Sequence, residues 1–197
     1  MTAREEKIVD AAVEVFSRYG VKRTTMNDIA GEAGVSRQTL YNAYANKDEV
    51  LQAAIRIHAE RSLAAIERRC AEVDDLSDQL DIVFQYLIVK PFEQLSALPH
   101  ADELITGFNQ AAKQEIDTSH EQYRAFIETL LQPYEERIRA GGLTPKLLSD
   151  CIQKACVGFK YKARNKKHVR ELLGSLKALA LSFANDNARG RRRRRSA

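Results

Sequence analysis

The sequence contains few glycines, prolines and cysteines, the residues that form tight turns or cross-link a chain. Its 197 residues include nine glycines and four prolines, too few for a turn-rich sandwich, so long helices are expected. The three cysteines are an odd number and no signal peptide precedes them, which argues against a disulfide framework and predicts a cytoplasmic protein. No apolar run approaches the roughly 18 residues that a membrane-spanning helix needs, so no membrane partner is expected.

The basic character of the chain is confined to one end. The net charge is +4, but six arginines lie within residues 189–197, and the remainder carries a net charge of −2. These last nine residues are predicted to be a disordered tail. It is either an arm that raises non-specific DNA affinity by releasing counterions or a solvated run without a dedicated role. The salt dependence of DNA binding with and without the tail distinguishes the two.

Apolar residues recur with the 3.6-residue period of amphipathic helices along nearly the whole chain, and no strand alternation is evident. The pattern predicts an all-α fold of about nine helices. Thr2 and Glu5 predict a capping box for the first helix, and Gly20 marks its end. Further along, Pro91 is expected to interrupt a helix that begins near residue 77, and Thr118 with its partner Glu121 to cap a new one that ends at residues 141–142.

Residues 24–44 predict two short helices joined by the three-residue turn Gly34-Val35-Ser36. Thr25 and Ser36 are suitable N-caps. If Leu40 and Tyr44 point inward, the opposite face of the second helix shows side chains that read DNA, since arginine pairs with guanine and glutamine or asparagine with adenine. That face contains Arg37, Gln38, Tyr41 and Asn42, with Thr39 at its border. The alternative, a plain helical hairpin within a bundle, would not require this grouping.

The segment from Thr24 to Leu51 resembles the N-terminal domain of TetR-family (tetracycline-repressor-like) regulators. The matching residues are Ile29-Ala30-Gly31-Glu32-Ala33-Gly34-Val35-Ser36, then Leu40-Tyr41, then Lys47-Asp48-Glu49-Val50-Leu51. The resemblance implies that Arg37, Gln38 and Thr39 face the bases. It also implies that Tyr41, Lys47 and Thr25 bind phosphates, and Ser36 is included among the DNA-binding candidates.

Two neighbouring positions depart from the family pattern. Positions 42 and 43 often hold aromatic residues or histidine in the family, and here they are Asn42 and Ala43. Ala43 cannot donate a hydrogen bond to phosphate. Asn42 either reads a base or is simply a solvated helix residue.

The rest of the chain resembles the family only in being a helical C-terminal domain of the expected length. The resemblance implies a helix-turn-helix domain over residues 1–47 and a helical effector-binding and dimerisation domain over 48–188. Dimerisation is expected through residues 145–159 and 166–183, although these helices could merely close the core of the monomer. Candidate ligand-binding residues are the aromatic side chains of the middle helices, which could equally be core residues: Phe84, Phe92, Phe108, Tyr123 and Phe126.

Together these patterns predict a homodimeric transcriptional regulator, a repressor that binds palindromic operator DNA and is released by a small-molecule effector. The alternative is a DNA-tethered protein-interaction factor of the same fold without an effector. No enzymatic motif, metal site or cofactor site is evident. Cys151 and Cys156 are five residues apart, so they face different sides of a helix, and a metal or redox pair is not expected. Both are expected to be buried thiols.

Overall fold

A computed structural model describes residues 2–97 and 108–184, and every regular element among them is a helix, which confirms the predicted all-α fold. Along these residues no helix is both long enough and apolar enough to cross a membrane. The α-helices are α1 (Ala3–Tyr19), α2 (Met26–Ala33), α3 (Arg37–Ala43), α4 (Lys47–Cys70), α5 (Leu76–Phe84), α6 (Lys90–Ala97), α7 (Gln110–Leu131), α8 (Glu135–Ala140), α9 (Pro145–Lys162) and α10 (Lys166–Ala184).

The described residues form two compact units. The first contains residues 2–61, 94–97 and 108–119, and the second contains residues 62–93 and 120–184. The first part of α4 therefore groups with the three helices that precede it. The domain limits predicted from the sequence, 1–47 and 48–188, stay predictions, and the arginine tail of 189–197 lies outside the described residues.

Local capping fixes the start of the first helix. The Thr2 N–H donates to Oε2 of Glu5 over 2.8 Å, and the Glu5 N–H donates to the Thr2 hydroxyl over 3.3 Å, which is the predicted capping box. The helix ends at Gly20, whose φ of 78° favours glycine. Between these ends, one face of α1 is fully buried and begins the core of the first unit: Ile8, Ala12, Val15 and Phe16.

The prediction that Pro91 interrupts its helix is wrong. Between α5 and α6 the chain makes one π-helical turn, Gln85–Val89, and the Lys90 N–H donates to the carbonyl of Gln85. A proline normally breaks a helix because it lacks an N–H and its ring clashes with the carbonyl four residues earlier. The wider turn directly before Pro91 shifts the hydrogen-bond register, so the helical path continues to Ala97.

The helix boundaries predicted around Thr118 are also wrong. Thr118 lies inside α7, and its hydroxyl donates to the carbonyl of Gln114 over 3.0 Å instead of capping a helix. At the other end, α7 stops at Leu131, and a single 3-10 turn that contains Pro133 separates it from α8. The chain thus needs two helices where one was predicted to run to Gly141.

The second unit is built around side chains of α5, α7, α8, α9 and α10. The Arg124 guanidinium of α7 contacts Glu121 and Glu128 and donates to the Ser149 hydroxyl of α9 over 3.3 Å, so this polar network joins the two helices. Pro145 occupies the first turn of α9 after its N-cap Thr144, a position where its missing N–H costs no helical hydrogen bond. The fully buried core includes Leu80, Val83, Ile127, Leu131, Ile138 and Ile152.

The three cysteines do not share one environment. Cys70 and Cys156 are buried, whereas Cys151 is exposed, so the expectation of a buried thiol is wrong for Cys151. The five-residue spacing on α9 explains the difference, because it turns the two side chains to opposite sides of the helix. Burial raises the pKa of the Cys70 thiol to about 11 and that of Cys156 to about 12.

Candidate nucleic-acid interface

The predicted turn between α2 and α3 is present. Gly34 has φ 61° and ψ 38°, the left-handed conformation that a glycine adopts without strain. The Val35 N–H donates to the carbonyl of Ala30 over 3.0 Å, which closes the end of α2. Leu40 of α3 is completely buried against the core of the first unit together with Ile29 and other residues of α1, α2 and α4. One side of α3 is thereby anchored, and the opposite side is left open.

The open side of α3 contains the predicted reading residues. Arg37, Gln38, Tyr41 and Asn42 are exposed, with Tyr41 50% accessible, and Thr39 is half-buried. Within the part of the chain that the structure describes, Arg37 forms no ion pair and the Tyr41 hydroxyl accepts or donates no hydrogen bond. Both side chains are therefore available to an external partner.

Gln38 and Asn42 form a pair along this open side. The Nε2 of Gln38 donates to Oδ1 of Asn42 over 2.8 Å, as residues four apart on a helix can. The bond uses one of the two side-chain N–H groups of Gln38, so an N–H donor and the Oε1 acceptor remain, the combination that an adenine edge pairs with. The structure thus links Asn42, which departs from the family pattern, to Gln38 one turn earlier in α3.

Ser36 and Thr39 are joined at the start of α3. The Ser36 hydroxyl accepts from the Thr39 N–H over 3.1 Å, and the two side-chain oxygens are 2.8 Å apart. Ser36 is therefore the N-cap that the sequence predicted. Its hydroxyl and that of Thr39 remain at the edge of the open side.

Thr25 is also an N-cap, and its donors are already in use. Its backbone N–H donates to Oδ2 of Asp28 over 2.8 Å, and its hydroxyl donates to the same oxygen over 2.7 Å. These bonds lower the pKa of the Asp28 carboxyl, so this carboxyl is ionised at neutral pH. Thr25 can contact a phosphate only if it exchanges one of these bonds.

Three acidic residues of the first unit have partners on the protein, and this bears on DNA binding because residues 1–51 contain seven basic and eight acidic residues. Asp10 pairs with Arg61 at 2.5 Å, and Glu32 pairs with Arg18 at 3.4 Å. Glu49 accepts from the Ala45 N–H over 2.8 Å at the start of α4. Each of these three carboxylates has a partner on the protein, which offsets part of the negative charge of this unit.

Lys7 is a residue that sequence reasoning missed. Its ammonium nitrogen lies 3.5 Å from the position that a Cβ on Gly34 would occupy, directly beside the turn that leads into α3. It is exposed and has no ion-pair partner within the described residues. No signal in the sequence places it there, because the contact joins α1 to a turn 27 residues later.

Lys47, the first residue of α4, does not point outward. Its ammonium group donates to the carbonyls of Val21 at 2.7 Å and Thr24 at 2.8 Å, and lies 3.4 Å from that of Lys22. The side chain is half-buried. The phosphate contact that the family resemblance implies would require Lys47 to release at least one carbonyl.

The predicted ligand-binding aromatic residues are not all brought together. Phe84 is buried in the core of the second unit, and the half-buried Phe92 and Phe126 pack against that core. Burial raises the pKa of Tyr123 to about 12. Phe108 instead packs against the core of the first unit.

Comparison with known proteins finds a family match in the N-terminal part of the chain. Residues 8–65 match the family model of bacterial regulatory proteins, tetR family, and this range includes the turn and all of α3. This segment is therefore similar to the TetR family. The matched model describes regulatory proteins, which agrees with the prediction that this chain is not an enzyme.

Two relatives of this chain come from Bacillus subtilis. The HTH-type transcriptional regulator YvdT is 30% identical over 133 residues, which is 68% of this chain and 62% of YvdT. The regulator YezE is 27% identical over 122 residues, 54% of this chain and 61% of YezE. The chain thus aligns with about three-fifths of the length of these relatives. The nicotine-responsive transcriptional repressor HdnoR of Paenarthrobacter nicotinovorans is 29% identical over 101 residues, 43% of this chain and 52% of HdnoR.

Solved structures share the fold over nearly the whole chain. The fatty acid degradation regulator FadR from Bacillus halodurans superposes with a TM-score of 0.66 at 22% identity, and covers 96% of this chain and 98% of its own. FadR from Bacillus subtilis in complex with stearoyl-CoA gives a TM-score of 0.60 at 22% identity, covering 91% and 95%. These likenesses show the fold of the second unit, of which the family model reaches only residues 62–65.

Proposed function

We propose that this chain is a sequence-specific DNA-binding transcriptional regulator that acts in the cytoplasm. The observation that carries the proposal is the open side of α3, where Arg37, Gln38 and Asn42 are exposed while Leu40 anchors the helix from behind. An α-helix fits the major groove, and the side chains on this side match base edges there. Thr39 completes the base-facing set.

The same proposal assigns the contacts with the DNA backbone to residues around α3. Tyr41 has an unused hydroxyl, and Ser36 and Thr25 hold hydroxyls at the starts of α3 and α2. Lys7 adds a positive charge beside the turn.

Phosphate contacts position the protein without reading sequence, so we expect Lys7→Gln to weaken binding to all DNA sequences alike. The slope of log K against log salt concentration should fall in magnitude by about 1. Equal slopes for both proteins would remove Lys7 from the interface.

We also propose that the regulator is a homodimer through α9 and α10. In the described part of the second unit, all large apolar side chains that are exposed lie on these two helices: Leu147 (49%), Tyr161 (39%) and Leu179 (62%). Both helices bury their other sides in the core of the monomer, at residues such as Ile152 and Leu173. The outer sides are therefore apolar without serving that core, as an interface with a second copy requires.

A charge on this face tests the dimer. We expect Leu179→Glu to sediment as a monomer at concentrations where the unaltered chain is a dimer, because the carboxylate would be buried without a partner. Val13→Glu is the matched control, since Val13 is an exposed apolar residue (38%) on α1 of the first unit. A dimer that survives in Leu179→Glu, or that is lost equally in Val13→Glu, contradicts the assignment.

The finer part of the proposal is repression relieved by a small apolar molecule. The half-buried Phe92 and Phe126 beside the core of the second unit support it, as do HdnoR, a nicotine-responsive repressor, and the stearoyl-CoA complex of FadR. A ligand that binds the DNA-free conformation more tightly shifts the population away from DNA. The test is release of the bound operator by nicotine or stearoyl-CoA, followed by a wider set of apolar compounds. If none releases DNA and none raises Tm, the alternative of a DNA-tethered interaction factor without an effector is favoured.

A further inference from the structure

The ammonium group of Lys47 occupies a small cage of backbone carbonyls in the first unit. The loop between α1 and α2 presents the carbonyls of Val21 and Thr24, which lie 2.7 Å and 2.8 Å from Nζ of Lys47, and a third carbonyl, that of Lys22, lies at 3.4 Å. Lys47 lies 23 to 26 residues further along the chain than these partners. The contact therefore joins the first turn of α4 to the loop that leads into α2.

These carbonyls depend on Lys47 for a partner. Val21 and Thr24 are only 3% and 2% exposed, and no backbone N–H among the described residues donates to any of the three carbonyls. An acceptor near the interior that lacks a hydrogen bond is costly, and a bond from a charged donor is stronger than one from a neutral donor. The Thr24 N–H and hydroxyl both donate back to Gly20, so the loop has no spare donor of its own at this position.

We propose that Lys47 is a positioning residue for the DNA-binding helices, a latch between α4 and the α1–α2 loop, and that it acts on DNA through this loop rather than through a phosphate. This inference rests on the proposed DNA-binding function. Thr25 and α2 follow the latched loop directly, and α3 follows α2 after three residues. The orientation of the reading side of α3 relative to α4 therefore depends on a loop that Lys47 holds at three carbonyls.

The first measurement is made without DNA. Lys47→Met keeps most of the apolar stem and removes the three donors. Hydrogen exchange of the Thr24, Asp28 and Ile29 amides is expected to accelerate about tenfold or more, because the loop opens more easily. Lys22→Gln is the control: it removes one positive charge from the same loop and leaves its carbonyls intact. The amides of Val15 and Phe16 in α1 report on general loss of stability.

Acceleration of the loop amides beyond those of α1, in Lys47→Met but not in Lys22→Gln, is the expected result. Unchanged loop exchange, or equal acceleration of the loop and α1, overturns the latch. Because no DNA is present, this outcome is independent of whether the chain binds an operator at all.

The second measurement uses the operator recovered by selection. Lys47→Met should bind it about tenfold more weakly with an unchanged slope of log K against log salt, since no phosphate contact is lost. A slope whose magnitude falls by about 0.9 would instead assign Lys47 to a phosphate and overturn the proposal.

Discussion

Two glycines three residues apart should respond in opposite ways to the same substitution. Gly34 has a positive φ of 61°, and the nearest atom to a new Cβ would be the flexible end of Lys7 at 3.5 Å, which is ordinary contact. The cost of Gly34→Ala is thus conformational rather than steric, about 1 to 2 kcal/mol for an L-residue in the left-handed region. Gly31 lies within α2, with open space around its Cβ position. Gly31→Ala should stabilise the protein by about 0.5 to 1 kcal/mol, because glycine is a poor helix former.

Urea unfolding of the full chain at one fixed protein concentration measures both changes, and fixing the concentration removes any contribution from dimer dissociation. For a chain of this length each kcal/mol corresponds to about 2–4 °C in Tm, so the two variants should lie on opposite sides of the parent in a thermal scan as well. If Gly34→Ala is neutral or stabilising, or if both substitutions shift stability in the same direction, the left-handed turn before α3 is not what positions this helix.

Three further predictions concern α3 and the thiols. Arg37→Ala should cost roughly 1–3 kcal/mol of binding free energy on the selected operator and relax preference at one base pair, measured by competition between operator variants; unchanged affinity and preference would exclude a base contact. Asn42→Ala should reduce discrimination at the base pair that Gln38 reads, since the 2.8 Å bond that orients the Gln38 amide is lost, whereas an effect confined to a different base pair would make Asn42 a reader in its own right. The thiols are best counted in the Leu179→Glu variant at pH 8, because Cys151 lies on α9 of the proposed dimer interface and stays accessible in a monomer. Cys151 should react rapidly with a disulfide reagent, whereas Cys70 and Cys156 should react only on unfolding, because burial raises their thiol pKa values to about 11 and about 12. More than one rapidly reacting thiol would contradict the burial of Cys70 and Cys156.

The features that sequence could predict are those encoded over a few neighbouring residues. The caps Thr2, Thr25 and Ser36, the left-handed Gly34 and the division of α3 into a buried and an open side all depend on contacts within one or two turns. Local patterns of this kind are also what define the family match over residues 8–65.

The features that were missed depend on context outside these patterns. Thr118 and Glu121 have the spacing of a capping box, but a threonine hydroxyl can equally bond a carbonyl within a helix, as it does here with Gln114. Pro91 is tolerated because a π-helical turn precedes it, and no residue type in the sequence predicts such a turn. The contacts of Lys7 and Lys47 join parts of the chain more than twenty residues apart, and one-dimensional periodicity contains no information about them.

The central claim is that the open side of α3 reads a specific DNA sequence, and selection of bound DNA from a random pool tests it most directly. The full chain should enrich one sequence arranged as two inverted half-sites, with centres one or more helical turns apart, as expected for a dimer with one α3 in each half-site. The double substitution Arg37→Ala and Gln38→Ala should abolish this enrichment while leaving the folded helix content unchanged. Failure of the unaltered chain to enrich any sequence, or enrichment of the same site by the double variant, would contradict the account.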